Sequence, residues 1–136
     1  MNEKIGMVVS DFNIEITRQM AKVAEEHAAL FGAKIAETVR VPGAFDMPLA
    51  IKRLLEKKGI DGVVTLGAVI EGDSDHDSIV AHNAARKMAD LSVQYDKPVA
   101  LGVIGPKITR AGSVDRIEEY SKRAVESCIK MLRAFK

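Results

Sequence analysis

His76 is the side chain in this sequence best suited to moving protons near neutral pH, and the run before it suits an anion. Gly67-Ala68-Val69-Ile70-Glu71-Gly72-Asp73-Ser74-Asp75-His76 follows a β-branched segment and leads into one of helical periodicity. Gly72, Asp73 and Ser74 thus stand just before a helix whose first-turn N–H groups have no internal partner and can bind an anion. No Lys follows the Gly as in a Walker loop, so a single phosphate fits better than a nucleoside triphosphate. On these grounds His76 reads equally as a proton-transfer group or a capping imidazole. Lys107, Arg110 and Arg116 come after a later apolar run. Arg116 is the candidate for a bidentate phosphate clamp, while Lys107 and Arg110 read first as a solvated helix start.

Two further segments offer surfaces for a planar ligand. Phe12, between Asp11 and Asn13, is either a loop ring folded over the core or an aromatic platform. Val41-Pro42-Gly43-Ala44-Phe45-Asp46 reads as a turn followed by a helix cap, and its small residues let backbone groups approach a heterocycle. Other reactive types point to structure. His27 falls on an apolar stripe and reads as a packed or interface histidine. His76 and His82 belong to different helix faces, which disfavours a shared metal. Cys128 shares a face with Ala124 and Leu132 and reads as core.

The elements that must position these groups alternate between strand and helix four times. Lys4–Ser10 reads as a buried strand. Met20, Val23, Ala24, Ala28 and Phe31 follow a helical period that begins at Ile16 and stops at Gly32. Lys34–Val41 alternates as a strand, and Asp46 is placed to cap a helix carrying Pro48, Leu49, Ile51, Leu54 and Leu55. Gly62–Leu66 is apolar on both faces, as the middle of a parallel sheet requires. Ile79, Val80, Ala84, Met88 and Leu91 share one helical face, Pro98–Ile104 forms a fourth strand, and a last helix runs from Ser113 to Ala134. Such alternation implies right-handed crossovers and a parallel sheet covered on both faces. Ligands of these sheets bind beyond the carboxyl ends of the strands. That rule selects Asp11–Asn13, Pro42–Asp46, Gly67–His76 and Gly105–Arg116, the segments that hold the candidate groups.

Composition narrows the class. The chain has 136 residues, of which 47% are hydrophobic, enough for one domain spanning 1–136 and too short for two with separate cores. Twenty Lys and Arg against 19 Asp and Glu, with few aromatic residues, leave no electrostatic footprint or stacking surface for nucleic acid. One Cys excludes a disulfide framework and a thiolate metal cluster. No apolar run is long enough to span a bilayer, and a cytoplasmic location is expected.

The segments Asp11-Phe12-Asn13, Pro42-Gly43-Ala44-Phe45-Asp46-Met47-Pro48, Gly67 to His76 and Asn83-Ala84-Ala85, taken in order, resemble the 6,7-dimethyl-8-ribityllumazine synthase family, in particular its archaeal branch. The resemblance covers nearly the whole chain. It implies an α/β/α sandwich of flavodoxin type with a four-stranded parallel sheet in the order 2-1-3-4. It also implies condensation of 5-amino-6-(D-ribitylamino)uracil with 3,4-dihydroxy-2-butanone 4-phosphate, without cofactor or metal. By this resemblance Phe12 stacks on the uracil ring, Ala44, Phe45, Val69 and Ile70 surround the pyrimidine and ribityl chain, and Asp46 binds the ribityl group. Gly72, Asp73 and Ser74 form the phosphate loop, His76 is the general acid/base, and Leu101 and Arg116 come from a neighbouring subunit of a pentamer or larger homo-oligomer. Asp46 is one methylene shorter than the Glu common in the family, and Leu101 stands where many members carry Phe. Many bacterial members have Lys near Arg123.

Three other readings compete. An archaeal riboflavin synthase shares a related fold, but the Gly72–His76 loop and Phe45-Asp46 favour the lumazine-forming enzyme. A receiver-type signalling domain needs clustered acidic residues after the first strand and an acceptor Asp after the third; Asp11 stands alone, and the third ends Leu66-Gly67-Ala68. A non-catalytic flavin or ribityl-ligand binding module would bind without turnover.

Overall fold

A computed structural model describes residues 2–72 and 76–136 of the chain. Strand β1 (Lys4–Ser10) pairs in parallel with β2 (Lys34–Val41) on one side and β3 (Gly62–Ala68) on the other. Short strands β4 (Val99–Ala100) and β5 (Val103–Ile104) both pair with β3, so the order is β2-β1-β3-β4 with β5 continuing that edge. The expected fourth strand over Pro98–Ile104 is therefore broken in two.

Thr65 accounts for the break. Its buried hydroxyl donates to the Ala100 carbonyl (2.8 Å) and accepts from the Gly102 N–H (3.3 Å), replacing the regular ladder between β4 and β5. A Cβ on Gly102 would lie 2.3 Å from the Thr65 carbonyl oxygen, so the close approach requires glycine. Leu101 is left half-exposed at the break.

Helices cover both sheet faces because β1 and β3 are apolar on both sides. Ile5, Met7, Val9, Val64 and Leu66 pack with helix α1 (Ile14–Leu30) through Ile16, Met20 and Ala24, and with the last helix through Val125, Cys128 and Ile129. Val8 and Val63 pack instead with α2 (Met47–Leu55) and α3 (Asp77–Tyr95), through Met47, Ile51, Leu54, Ala84 and Met88. Ile79 and Leu49, expected on the buried faces, are each 62% exposed. The last helix is also divided: α4 (Arg110–Asp115) is capped by Thr109, whose hydroxyl accepts from Gly112 N–H at 3.0 Å, and α5 (Ile117–Ala134) follows after Arg116.

Candidate active site

The carboxyl ends of the strands are joined by backbone bonds that run past the strands themselves. Asp11 N–H donates to the Val41 carbonyl (2.7 Å) and Phe12 N–H to the Pro42 carbonyl (2.9 Å). Val69 N–H donates to the Ile104 carbonyl (2.8 Å) and Glu71 N–H to the Ile108 carbonyl (2.8 Å), tying the segment after β3 to the end of β5 and the segment beyond it. Asn13 takes a left-handed backbone, φ 61°, which Asn tolerates, and its carbonyl accepts from Ile16 and Thr17 to start α1. The ends thereby form one continuous rim.

Within that rim lies a largely apolar cleft of about 180 Å³, to which Phe12, Ala44, Phe45 and Val69 all contribute. Both rings stand clear of the core, Phe12 54% and Phe45 59% exposed, so Phe12 is not folded over the interior. Gly43, Ala68, Asp77 and Val80 complete the lining. The first of these was visible as a small residue in the turn. Asp77 and Val80 were missed, although Asp77 follows His76 and Val80 lies one helical turn beyond it. Ile70 is buried among the residues facing α1 and α5 and does not line the cleft, whereas Val69 packs toward α2 and α3.

Asp46 departs from the capping role expected for it. Its carboxylate turns back to accept from Gly43 N–H (3.0 Å), closing the 3-10 turn Ala44–Asp46, and makes no side-chain cap on α2. A shorter side chain than Glu reaches its own turn more readily than the helix ahead. Asp46 instead borders a second hollow that shares Phe45 with the cleft and is also lined by Pro48, Leu49, Asn83 and Lys87.

His76 is the residue before α3, and its carbonyl accepts from Val80 N–H (2.9 Å). Gly72 has φ +88°, in the left-handed region that favours glycine. The expected phosphate-loop residues Asp73 and Ser74 lie outside the described residues.

The cations divide by their partners. Arg110 is committed within the chain: it pairs with Glu15, and its Nη2 donates to Asn13 Oδ1 (2.9 Å). A hydrogen bond from Glu15's own backbone, then the Arg110 guanidinium, hold the Glu15 carboxyl below the usual carboxylate range. Arg116 occupies the junction of α4 and α5, exposed and without an ion pair among the described residues. Neither Arg116 nor Leu101 lines the cleft of the single chain. Arg40 reaches from β2 to Asp11 (2.7 Å), offsetting the carboxylate beside Phe12.

The remaining reactive groups are structural. His27 packs its ring edge against Phe31 and bonds Glu126 through Nε2 (2.7 Å). Burial pushes the Cys128 thiol up to about 12, with smaller contributions from Asp61 and Glu3. It is therefore no nucleophile at neutral pH. Lys97 donates to the carbonyls of Leu55 (2.9 Å) and Lys57 (3.1 Å), fastening the end of α2.

Fold and cleft together define a flavodoxin-like α/β protein with a small-molecule cleft at the carboxyl edge of a parallel sheet. Residues 2–136 match the family model of 6,7-dimethyl-8-ribityllumazine synthase. The 6,7-dimethyl-8-ribityllumazine synthase of Methanocaldococcus jannaschii is 56% identical over 132 residues, covering 97% of this chain and 93% of that protein. Its namesakes in Methanococcus maripaludis strain C5 and Methanothermobacter thermautotrophicus are 57% and 54% identical, each covering 98% of this chain and 96% and 95% of their own length. The chain belongs to the 6,7-dimethyl-8-ribityllumazine synthase family.

Proposed function

We propose that this protein condenses 5-amino-6-(D-ribitylamino)uracil with 3,4-dihydroxy-2-butanone 4-phosphate to give 6,7-dimethyl-8-ribityllumazine, phosphate and water. The observation that carries this reading is the cleft: two exposed phenylalanine rings in a wall of small residues, with His76 and Gly72 following the strand that supplies the cleft's Ala68. A planar pyrimidine stacks on Phe12 while Ala44, Phe45 and Val69 enclose it, and Ile70 supports that wall from the core. Asp46 meets the ribityl chain from the rim. Gly72, Asp73 and Ser74 receive the phosphate, which Arg116 of a neighbouring copy clamps.

The substrate amine is itself the nucleophile. It adds to the ketone and loses water to form an imine; phosphate is then eliminated, the enol tautomerises, and the second amine closes the ring with loss of another water. His76 relays protons between these steps. Holding two substrates in register supplies much of the acceleration, because proximity replaces a bimolecular encounter.

The functional unit is one domain, 1–136, in a cytoplasmic homo-oligomer, a pentamer or larger, with Leu101 and Arg116 completing the neighbour's site. Leu49, Ile79 and Leu101 are exposed large apolar side chains of the kind that such an assembly would cover. Incubating the purified protein with both substrates tests the reaction: lumazine and phosphate should form in equal amounts. Conversion of lumazine to riboflavin instead would assign the chain to riboflavin synthesis, and ligand binding without turnover would make it a binding module.

A further inference from the structure

Asn13 joins three of the strand ends that frame the cleft. Its Nδ2 donates to the Ala68 carbonyl (2.9 Å) at the end of β3, and its Oδ1 accepts from Arg110 Nη2 (2.9 Å) beyond β5. Phe12, its neighbour in sequence, and Ala68, its hydrogen-bond partner, both line the cleft. The amide can satisfy both partners in one orientation alone. Turned over, it would set its NH2 against a guanidinium that only donates and its oxygen against a carbonyl that only accepts. Arg110 therefore fixes which way the amide faces, and Glu15 fixes Arg110.

We infer that Asn13 is a positioning residue for the ring platform: the Glu15–Arg110–Asn13 relay ties the Phe12 segment to the Ala68 carbonyl and so sets the spacing of the cleft walls. This rests on the reading proposed above, in which Phe12 stacks on the uracil ring. Stacking depends on the distance and tilt between a ring and the opposing wall. The charge of the butanone phosphate is held elsewhere, by the Gly72 loop and Arg116. Loss of the tether should consequently weaken the ring substrate and spare the phosphate substrate.

The left-handed backbone at Asn13 permits a clean test, because Gly and Asp also accept it. Asn13→Gly removes the amide without straining the chain. Asn13→Asp keeps the bond from Arg110 but turns a carboxylate oxygen toward the Ala68 carbonyl. Arg110→Met leaves Asn13 and releases its orientation. Losing a net hydrogen bond of typical strength predicts a roughly tenfold higher KM for 5-amino-6-(D-ribitylamino)uracil in Asn13→Gly and Asn13→Asp. The KM for butanone phosphate should stay within about twofold of wild type. Arg110→Met should move the same KM in the same direction and provides the answer if an Asn13 variant fails to fold. An unchanged KM for the uracil, or an equal rise in both KM values alongside a lower melting temperature, overturns the assignment.

Parallel titration with riboflavin, a planar ring carrying a ribityl chain, separates this inference from the reaction. If wild type binds riboflavin but makes no lumazine, the proposed reaction fails. A weaker riboflavin affinity in the variants would then still uphold the tether, and an unchanged affinity would refute it. Wild type that neither turns over nor binds riboflavin would overturn both.

Discussion

Replacing His76 by Ala leaves the backbone start of α3 intact, because the bond at that position comes from the His76 carbonyl and not from its ring. The substitution therefore removes the imidazole while keeping that backbone bond. Turnover at saturating substrates should fall roughly a hundredfold, the lower range for a general acid/base, while affinity for the ribitylaminouracil stays near wild type. Equal rates across neutral pH would remove the imidazole from the mechanism. The neighbouring residues show how far single positions were readable. Phe12, Ala44, Phe45 and Val69 lie in segments selected by the rule that ligands meet strand ends, and the family resemblance singles them out within those segments. Asp46 did not follow, since a carboxylate beside a helix start can bond forward to the helix or backward to its own turn. The choice depends on side-chain length and local backbone that spacing does not encode. Asp77 was hidden for a related reason: which first-turn side chain faces a cleft depends on where the helix lands on the sheet.

At the scale of elements, periodicity located the helices and strands but not their interruptions. The split of the fourth strand is set by Thr65 on β3, far away in sequence, so no pattern within Pro98–Ile104 announces it. Gly102→Ala should test this contact, because the added methyl would meet the Thr65 carbonyl. A destabilisation of about 1–3 kcal/mol is expected from overpacking, with weaker assembly if Leu101 is displaced. Chemical denaturation and light scattering would measure the two effects. Glu3 offers a second element-level test. Although buried, it accepts from Arg133 Nε (3.0 Å) and Nη2 (3.2 Å), fastening the start of β1 to the end of α5. Arg133 hydrogen bonds hold its carboxyl far below the usual 4.5, outweighing burial, which acts the other way. A lowered native value means the stabilisation is complete above about pH 4.5 and drains away as pH falls toward the native value. Glu3→Gln should therefore melt lower than wild type at pH 7, with the gap narrowing below pH 4.5. A gap that is constant with pH would show that the ionised carboxylate is not what holds the two elements together.

For the whole molecule, the described cleft presents two exposed phenylalanine rings among small residues, whereas Arg116 and Leu101 stand exposed outside it. A shared site explains that division: each chain would present its own cleft to one neighbour and its α4–α5 junction to the other. Such head-to-tail contacts close into rings when the rotation between copies permits. The measurement that tests this most directly mixes two impaired variants at a butanone phosphate concentration too low to saturate Arg116→Ala. Arg116→Ala should bind the butanone phosphate roughly ten- to a hundredfold more weakly, from loss of a charge-assisted hydrogen bond. Gly72→Asp places a negative charge in the loop proposed to receive the phosphate, at a backbone, φ +88°, that glycine favours. In reassorted rings some sites would combine an intact loop from one chain with an intact Arg116 from the next. Recovered lumazine formation in mixed rings, verified by mass spectrometry, is the predicted result; mixed rings no more active than the average of the two variants alone would contradict a site shared between subunits.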